Sequence, residues 1–449
     1  MSVVARGKYL IEGGTVLSMD PEIGLLDRGS VLIDDGRILM VAPEVDAADA
    51  AGAEVVDAAG QIVMPGLIES HFHMWSSVGR NFIAEGYEYF PVKWDTAPHY
   101  RPEDYYASVL LSAVGALSAG ITTVHNWSHN ILSPAHADAE LQAHRDSLIR
   151  ARYSYGHRDS LPLDEALDFT DIDRVREEWF VEAGGLDGLV HLGVNLRGPD
   201  IGGMDIFERE MEEATERSLP VSIHAEQGGV SKIDAPALEA AGYLGPQLLI
   251  CHYLPARDVD MEAMARTGTS LSYAVHSELR MAVAGDPRDA LLRFRDAGVT
   301  VSLSIDATSI APIDMFEAMT VAWNMGIPWE GTPSAEREPL TFRQCIEMAT
   351  IDGAKALGID DQVGSLTPGK RADLISIRGG DLNVAPVADV ESTVVRSVRA
   401  SNVDSVMVDG RFLKRGGELV VHDAARIVAM AEESAMAVRR RSGGRLAPD

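Results

Sequence analysis

The sequence has few cysteines and no long apolar run, and both shortages exclude classes of protein. Cys251 and Cys345 are the only two cysteines in 449 residues, so the chain cannot carry the disulfide framework of a small secreted domain. The first residues lack the charged-then-apolar pattern of a signal peptide, and no apolar run is long enough to span a bilayer. We therefore expect a cytoplasmic protein with no membrane partner.

Basic residues are also scarce. The chain has 39 Lys and Arg against 68 Asp and Glu, which gives a formal net charge of -29 and a sequence pI of about 4.8. Binding to the phosphate backbone requires a basic surface, so we expect no nucleic-acid partner. The one basic run, 439–441, closes a predicted amphipathic helix over 423–441, and cations are ordinary at the C-terminal end of a helix.

The pattern of the chain divides it into three predicted parts. Residues 1–60 and 358–420 alternate short β-prone runs with turns, and residues 61–357 alternate strands with helices. A terminal helix and tail occupy 421–449. With 46% hydrophobic residues and this length, the chain can bury a large core.

The middle part predicts a (β/α)₈ barrel of the TIM type, because parallel strands that alternate with helices form βαβ units. Barrels of this kind carry their chemistry at the carboxyl ends of the strands. The eight candidate strands are Gln61–Ile68, Thr122–Asn126, Ala151–Tyr155, Leu189–Asn195, Pro220–His224, Leu248–His252, Ser270–Val275 and Val299–Ile305.

Two histidines follow the first barrel strand, separated by one residue. In an extended strand, side chains at i and i+2 point to the same side, so His71 and His73 can aim at one point. Two neutral imidazoles there could hold one divalent metal ion.

Three other predicted strands end in a side chain that can also bind a metal ion. His224 ends the predicted fifth strand, His252 the sixth and Asp306 the eighth, where an apolar core would predict another aliphatic residue. Because these strand ends meet at one rim of the barrel, the pattern predicts a metal site.

The run Pro65-Gly66-Leu67-Ile68, leading into His71-Phe72-His73, resembles the metal motif of the amidohydrolase superfamily. The resemblance extends over nearly the whole chain and is greatest to the mononuclear branch, which includes cytosine, guanine and S-adenosylhomocysteine deaminases and triazine hydrolases. It implies a small β-sandwich domain built from both chain ends, 1–60 and 358–420, beside the barrel.

The resemblance also implies a set of site residues. A metal would be held by His71, His73, His224 and Asp306, and His252 would contact the metal-bound water or the substrate. Such a ligand set leaves a position open for water, whose pKa the metal lowers. Asp306 could then accept a proton from that water, and His252 could steady the developing oxyanion.

Binuclear relatives have a carboxylated lysine or a glutamate at the end of the fourth strand, whereas 190–197 here has neither at its end. We therefore predict one divalent ion per chain. Zinc is expected, with iron or cobalt as the alternatives.

One position departs from the family pattern. Mononuclear deaminases and triazine hydrolases usually carry a glutamate three residues after the strand-5 histidine, and this chain has Gln227 there, with Glu226 one residue earlier. An amide cannot transfer protons as a carboxylate does. Either Glu226 reaches the substrate from a rearranged loop, or another group such as His129 or Asp306 does the work.

Further candidates for substrate contact follow other strands. His129 lies after strand 2, His276 and Arg280 after strand 7, and Trp75 just beyond His73. The Pro-x-Ser-Asn run that purine and pyrimidine deaminases of this group usually carry after strand 7 is absent, which argues against a nucleobase substrate.

The sequence thus predicts a metal-dependent hydrolase that attacks a C–N bond of a small molecule: an amide, a carbamate, an amidine or an aminated or N-heterocyclic ring. One alternative is hydrolytic displacement of a halide from a heteroaromatic ring. Another is a catalytically retired ligand-binding protein on the same scaffold, although the intact ligand set weighs against it. We expect a homo-oligomer, a dimer or larger.

Overall fold

The computed structural model describes residues 5–83, 89–180, 186, 188–226, 229–281 and 285–443. In these residues the strands, in chain order, are β1 Tyr9–Leu17, β2 Leu25–Asp34, β3 Arg37–Ala42, β4 Glu54–Asp57, β5 Gln61–Pro65, β6 Leu67–Phe72, β7 Ile121–Ser128, β8 Arg150–Gly156, β9 Val190–Leu196, β10 Val221–His224, β11 Leu248–Cys251, β12 Ser270–Tyr273, β13 Val301–Leu303, β14 Leu374–Arg378, β15 Val403–Val408, β16 Arg411–Arg415 and β17 Glu418–Leu419.

The helices pack mainly around the strands of the middle part. They are α1 Tyr89–Thr96, α2 Pro102–Ser118, α3 Pro134–Ser147, α4 Phe169–Trp179, α5 Gly198–Gly202, α6 Met204–Glu216, α7 Ala235–Ala240, α8 Asp258–Thr267, α9 Val275–Met281, α10 Pro287–Asp296, α11 Met315–Met325, α12 Phe342–Met348, α13 Ile351–Ala356, α14 Val390–Arg396 and α15 Ala424–Arg441. Among the described residues, no helix combines the length and the apolarity that a bilayer crossing requires.

Strands β6 to β13 form one parallel sheet in sequential order. The two edges of this sheet meet through a parallel bridge between Phe72 and Asp306, which makes the sheet a nearly closed barrel. The predicted (β/α)₈ barrel is therefore confirmed.

The two ends of the chain build a second, mixed sheet in the order β17-β16-β15-β14-β5-β1-β2-β3, with β4 paired to β1. The N-terminal and C-terminal halves join where β5 pairs antiparallel with β14. The predicted small β domain from both chain ends is thus confirmed, in the form of a single nine-stranded sheet. The division into 1–60 with 358–420, 61–357 and 421–449 stays a prediction.

One predicted strand, 61–68, is divided between the two sheets. Its first half is β5 of the terminal sheet and its second half is β6 of the barrel, with Gly66 between them. A Cβ on Gly66 would lie 2.0 Å from Thr122 Oγ1, so only glycine permits this close crossing.

The basic end of α15 has a structural role. Arg441 contacts the carboxylate of Asp104 at the start of α2 and donates from Nε to His99 O at 2.8 Å. Ser434 of the same helix also bonds to Asp104, at 2.6 Å. The C-terminal helix is therefore fixed against the barrel by its own cation.

Candidate metal and active site

The site lies where the barrel closes. Asp306 N–H donates to His71 O at 3.0 Å, and His73 N–H donates to Asp306 O at 2.8 Å. These bonds join the end of the first barrel strand to the residues after the last one. Backbone pairing thereby holds His71, His73 and Asp306 side by side.

Four side chains converge on one point at this rim. The Nε2 atoms of His71 and His73 lie 3.3 and 3.2 Å from Asp306 Oδ1. His224 Nε2 lies 3.2 Å from His71 Nε2. All four side chains come from the strand ends at which the sequence predicted ligands.

The charge states of these groups suit a cation. Burial lowers the pKa of His71 to about 3, and burial also lowers the pKa of His224 well below its usual range. These imidazoles are therefore neutral at neutral pH. Burial alone would raise the pKa of Asp306, but hydrogen bonds to His71 and His73 outweigh it and hold that pKa well below its usual range.

This donor set fits a divalent ion. A neutral imidazole offers one lone pair, and an ionised carboxylate offers only acceptors. If these imidazoles carry their protons on Nδ1, three ring nitrogens and one carboxylate oxygen turn lone pairs towards one point, where a cation can bind all of them. His71, His73 and His224 could hold such an ion, and Asp306 lies on the same centre. Imidazole and carboxylate ligands are those of zinc-type sites.

His252 stands at the same rim and is oriented by a buried acid. Its Nδ1 lies 2.8 Å from Oε1 of Glu278, which is fully buried on α9. Burial lowers the pKa of His252, yet the neighbouring Glu278 outweighs that effect and the pKa is raised overall. A carboxylate on one ring nitrogen fixes which way the other nitrogen points.

The backbone at two of these positions is strained. His252 has a φ of 76° and Asp306 a φ of 66°, in the left-handed region that side-chain-bearing residues rarely adopt. Such strain persists only where surrounding contacts impose it, and it concentrates at functional sites. Both residues were predicted to act in the reaction.

Glu69 was not predicted from the sequence, and it supports two of the converging groups. Its side chain is fully buried. Its Oε1 accepts from His71 N–H and its Oε2 from Ile305 N–H, both at 2.8 Å. Burial raises the pKa of Glu69 well above its usual range, although these two hydrogen bonds act to lower it. Glu69 thus ties the backbone of one candidate ligand to the residue before another.

We predict that Glu69→Gln weakens metal binding by ~10- to 100-fold, the range for partners that orient a ligand. The glutamine amide nitrogen is a donor, so it would face one of the two backbone N–H groups that the carboxylate now accepts. Competitive chelator titration measures the effect. The control variant is Glu317→Gln; Glu317 is an acid on α11 whose Oε1 lies 4.0 Å from His276 Nε2. Equal affinity in both variants would remove Glu69 from this role.

His129 lies between a candidate ligand and the open part of the site. Its Nδ1 lies 3.0 Å from His73 Nδ1 and accepts from Trp75 Nε1 at 3.1 Å. Burial, with Lys93 nearby, holds the pKa of His129 well below its usual range, so the ring is neutral. Because Nδ1 accepts from the indole, the single ring proton lies on Nε2, which faces Asp159 Oδ1 at 3.7 Å.

A cavity of about 480 Å³ opens above the converging groups. Trp127, Phe90 and Trp94 form its aromatic walls. Lys93 and Asp159 also line it, as an ion pair at 2.7 Å. The cavity thus connects the candidate metal centre to an opening that has aromatic walls and one ion pair at its side.

The remaining predicted residues lie in different places around this cavity. Glu226 is exposed on the wall, and its backbone N–H donates to Asp200 at 3.0 Å. Gln227 lies outside the described residues. Trp75 is buried behind His129, stacked on Tyr105.

His276 and Arg280 are on helix α9, and neither is among the described residues that line the cavity. Their substrate contact, like the other predicted site roles, stays a prediction.

Sequence reasoning missed Glu69, Glu278 and the Lys93–Asp159 pair. Glu69 had a usable signal, because an acid inside an otherwise apolar strand two residues before His71 is unusual. Glu278 and Asp159 had none, since each meets its histidine only through the fold.

Comparison with known proteins agrees with this geometry. Residues 62–413 match the model of the amidohydrolase family. A 5-methylthioadenosine/S-adenosylhomocysteine deaminase of Symbiobacterium thermophilum is 29% identical over 446 residues, which cover 95% of this chain and 98% of that protein. A 5'-deoxyadenosine deaminase of Methanosarcina acetivorans is 28% identical over 398 residues, or 85% and 87% of the two chains.

Two solved structures are similar in fold. An adenosine deaminase from Xanthomonas campestris with bound zinc has a TM-score of 0.80 at 22% identity, covering 97% of this chain and 99% of that one. The atrazine chlorohydrolase TrzN of Arthrobacter aurescens TC1, complexed with zinc, has a TM-score of 0.81 at 20% identity, covering 95% and 100%.

The family match spans most of the chain, so the predicted superfamily is confirmed, and with it the predicted class: a metal-dependent hydrolase that acts on carbon–nitrogen bonds other than peptide bonds. We conclude that this chain belongs to the amidohydrolase family.

Proposed function

We propose that the enzyme is a deaminase that removes the amino group of a purine nucleoside of the adenosine kind and releases ammonia. The observation that carries this proposal is the convergence of four metal-type donors beneath an aromatic-walled cavity. The names of the relatives support the substrate class, against the expectation from the missing Pro-x-Ser-Asn run.

We further propose that His71, His73, His224 and Asp306 hold one divalent ion, zinc by preference. A divalent ion bound there lowers the pKa of water towards neutrality and so supplies a nucleophile. The zinc named with the two solved structures supports this choice of metal.

Asp306 is placed to move a proton. Its Oδ1 faces the two histidines, and its Oδ2 accepts from Ser277 Oγ at 2.6 Å. A carboxylate that stays ionised can take a proton from water and later deliver it to a leaving amine. Its low pKa means that it begins the cycle as a base.

His252 is placed to stabilise negative charge on the attacked ring. Glu278 holds its Nδ1 and so fixes the orientation of the ring, and His252 is part of the cavity wall. A fixed donor aimed at developing charge needs no reorganisation during the reaction.

The cavity suits a planar ring with a polar substituent. Trp127 packs against His224 with ring centroids 4.0 Å apart, and Phe90 and Trp94 stack on each other at 5.6 Å. Phe90 and Trp94 are 45% and 60% exposed, so their faces are available to a planar ligand. Lys93, Asp159 and the Nε2 proton of His129 lie beside them and could bind hydroxyl groups.

A second candidate function is the displacement of halide from a heteroaromatic ring. It is favoured by Gln227, because a halide leaves without protonation, whereas an amine needs a proton. The chlorohydrolase fold similarity is compatible with it.

One assay separates the candidates. Purified enzyme is offered adenosine, 5'-deoxyadenosine, aminotriazines and the chloro analogue of each ring, with ammonia and chloride measured in parallel. Ammonia from an adenosine derivative, with a kcat/KM at least tenfold above that of any chloro analogue, is expected. Faster chloride release would favour the second candidate, and no turnover on any compound would favour a retired binding protein.

The proton for the ring nitrogen is predicted to come from His129 or Asp306. Because His129 is neutral, it must first accept a proton before it can pass one on. Glu226→Gln should then keep turnover within a few-fold of wild type, whereas His129→Ala should lower it by ~10²-fold or more, as for loss of a general acid or base. The pH–rate profiles of wild type and both variants on one substrate provide the measurement. Loss of an ionisation only in Glu226→Gln would assign the proton transfer to Glu226 instead.

A homo-oligomeric state and a cytoplasmic location remain predictions from the sequence. Of the predicted partners, the small-molecule substrate is the one that the family match supports.

A further inference from the structure

A second cavity, of about 380 Å³, lies at the opposite end of the barrel from the candidate metal centre. It is lined by Arg152 and His191, which lie early in β8 and β9, and by Pro220 and Gln247, which immediately precede β10 and β11. These are amino ends of strands, whereas the metal-type donors lie at carboxyl ends. The two sites are therefore separated by the length of the barrel.

Arg152 is the unusual group in this cavity. Its side chain is buried, with 3% of the residue exposed. Its Nε donates to Ser154 Oγ at 3.2 Å and its Nη2 to Ser222 Oγ at 3.1 Å. A guanidinium carries five N–H donors, so three remain without an acceptor among the described residues.

No carboxylate within the described part of the chain forms an ion pair with Arg152. Other buried arginines do have such partners: Arg150 bonds to Asp373 at 2.7 and 3.0 Å, and Arg197 lies 3.4 Å from Glu210. Arginine cannot escape its charge by losing a proton, and a buried charge without a partner is strongly destabilising. A counter-charge is therefore expected beside Arg152.

The neighbouring strand is shaped around this guanidinium. A Cβ on Gly193 of β9 would lie 2.8 Å from Arg152 Nε and 2.9 Å from Ser154 Oγ. A larger residue at this position would displace the cation, so Gly193 makes the space that Arg152 occupies. The glycine at position 193 thus supports the position of the Arg152 charge at the amino-terminal end of the barrel, which we call the barrel floor.

His191 adds a second donor to the same cavity. Its Nε2 is buried without a hydrogen-bond partner among the described residues. Burial, together with Arg150, lowers its pKa to about 4, so it is neutral and can donate one N–H. A cation and a neutral donor together form a site for an acceptor that carries negative charge.

We propose that this cavity binds a small oxyanion, of the phosphate or carboxylate kind, through Arg152 and His191. The anion would supply the counter-charge that Arg152 lacks, and would stabilise the barrel floor without entering the reaction at the other end. Because the proposal rests on these residues alone, it is independent of the proposed deaminase function.

The test is thermal unfolding of the metal-loaded enzyme in increasing sodium phosphate, with sodium chloride at matched ionic strength as the reference. In wild type, the unfolding midpoint should rise with the logarithm of phosphate concentration, as for any ligand that binds only the folded state. Arg152→Met should lose this rise. Arg266→Met, which removes a surface cation paired with Glu239, should keep it.

Isothermal titration gives the affinity directly. Arg152→Met should bind phosphate at least ~10-fold more weakly than wild type, the effect of losing a charged hydrogen-bond partner. If that variant does not fold, His191→Ala tests the same cavity. Sodium acetate in place of phosphate distinguishes a carboxylate preference. A wild type that phosphate and acetate stabilise no more than chloride does would overturn the proposal, and so would an undiminished phosphate effect in Arg152→Met.

Discussion

Replacing Asp306 with asparagine is expected to lower turnover by at least ~10²-fold while leaving the protein folded. Asparagine has the same shape and keeps one oxygen towards His71 and His73, which now lie 3.3 and 3.2 Å from Asp306 Oδ1. It cannot accept a proton as a carboxylate does. The loss should appear in kcat, because the proton transfer occurs in the transition state and not in substrate binding.

Asp314→Asn is the matched control for this experiment. Asp314 lies eight residues later and caps α11 by accepting from Phe316 N–H at 2.9 Å, a task that asparagine also performs. It should show wild-type turnover. Near-normal kcat in a folded Asp306→Asn variant would show that the base lies elsewhere.

The second large effect is expected from His71→Ala, which should abolish both metal binding and measurable activity. His71 is the most central of the converging groups, because its Nε2 lies 3.2 Å from His224 Nε2 and 3.3 Å from Asp306 Oδ1. Its removal leaves at most three donors, with an opening at the centre of the set. His224→Ala should have the same consequence, from the fifth barrel strand.

Elemental analysis and turnover are measured on the same preparations, with His422→Ala as the control. His422 is also a buried histidine, but its Nε2 bonds to Ser147 O, remote from the cavity. That variant should retain about one metal ion per chain. A His71→Ala protein with full metal content would contradict the assigned ligand set, and two tightly bound ions per wild-type chain would contradict a mononuclear site.

The strand-end rule explains why the central groups were predictable. A residue that ends a parallel barrel strand must lie at the catalytic rim, so His224 and Asp306 could be placed next to His71 and His73 from sequence order alone. Their distances now agree with that reasoning.

The features that the sequence did not predict also have physical reasons. The apolar run 61–68 reads as one strand, because periodicity does not report that the chain changes sheets at Gly66. The predicted strand 270–275 ends at Tyr273, and α9 begins at Val275, so His276 lies in a helix that the sequence did not predict. Trp75 was predicted to contact the substrate, and the sequence did not indicate that it donates to His129, because these residues are 54 positions apart.

The most direct test of the central claim is a crystal structure of the metal-loaded enzyme with anomalous diffraction recorded at the zinc absorption edge. We expect one anomalous peak per chain, within about 2.0–2.2 Å of the Nε2 atoms of three histidines and a carboxylate oxygen of Asp306. The histidines are His71, His73 and His224. A peak at any other position, or two peaks at this rim, would contradict the account.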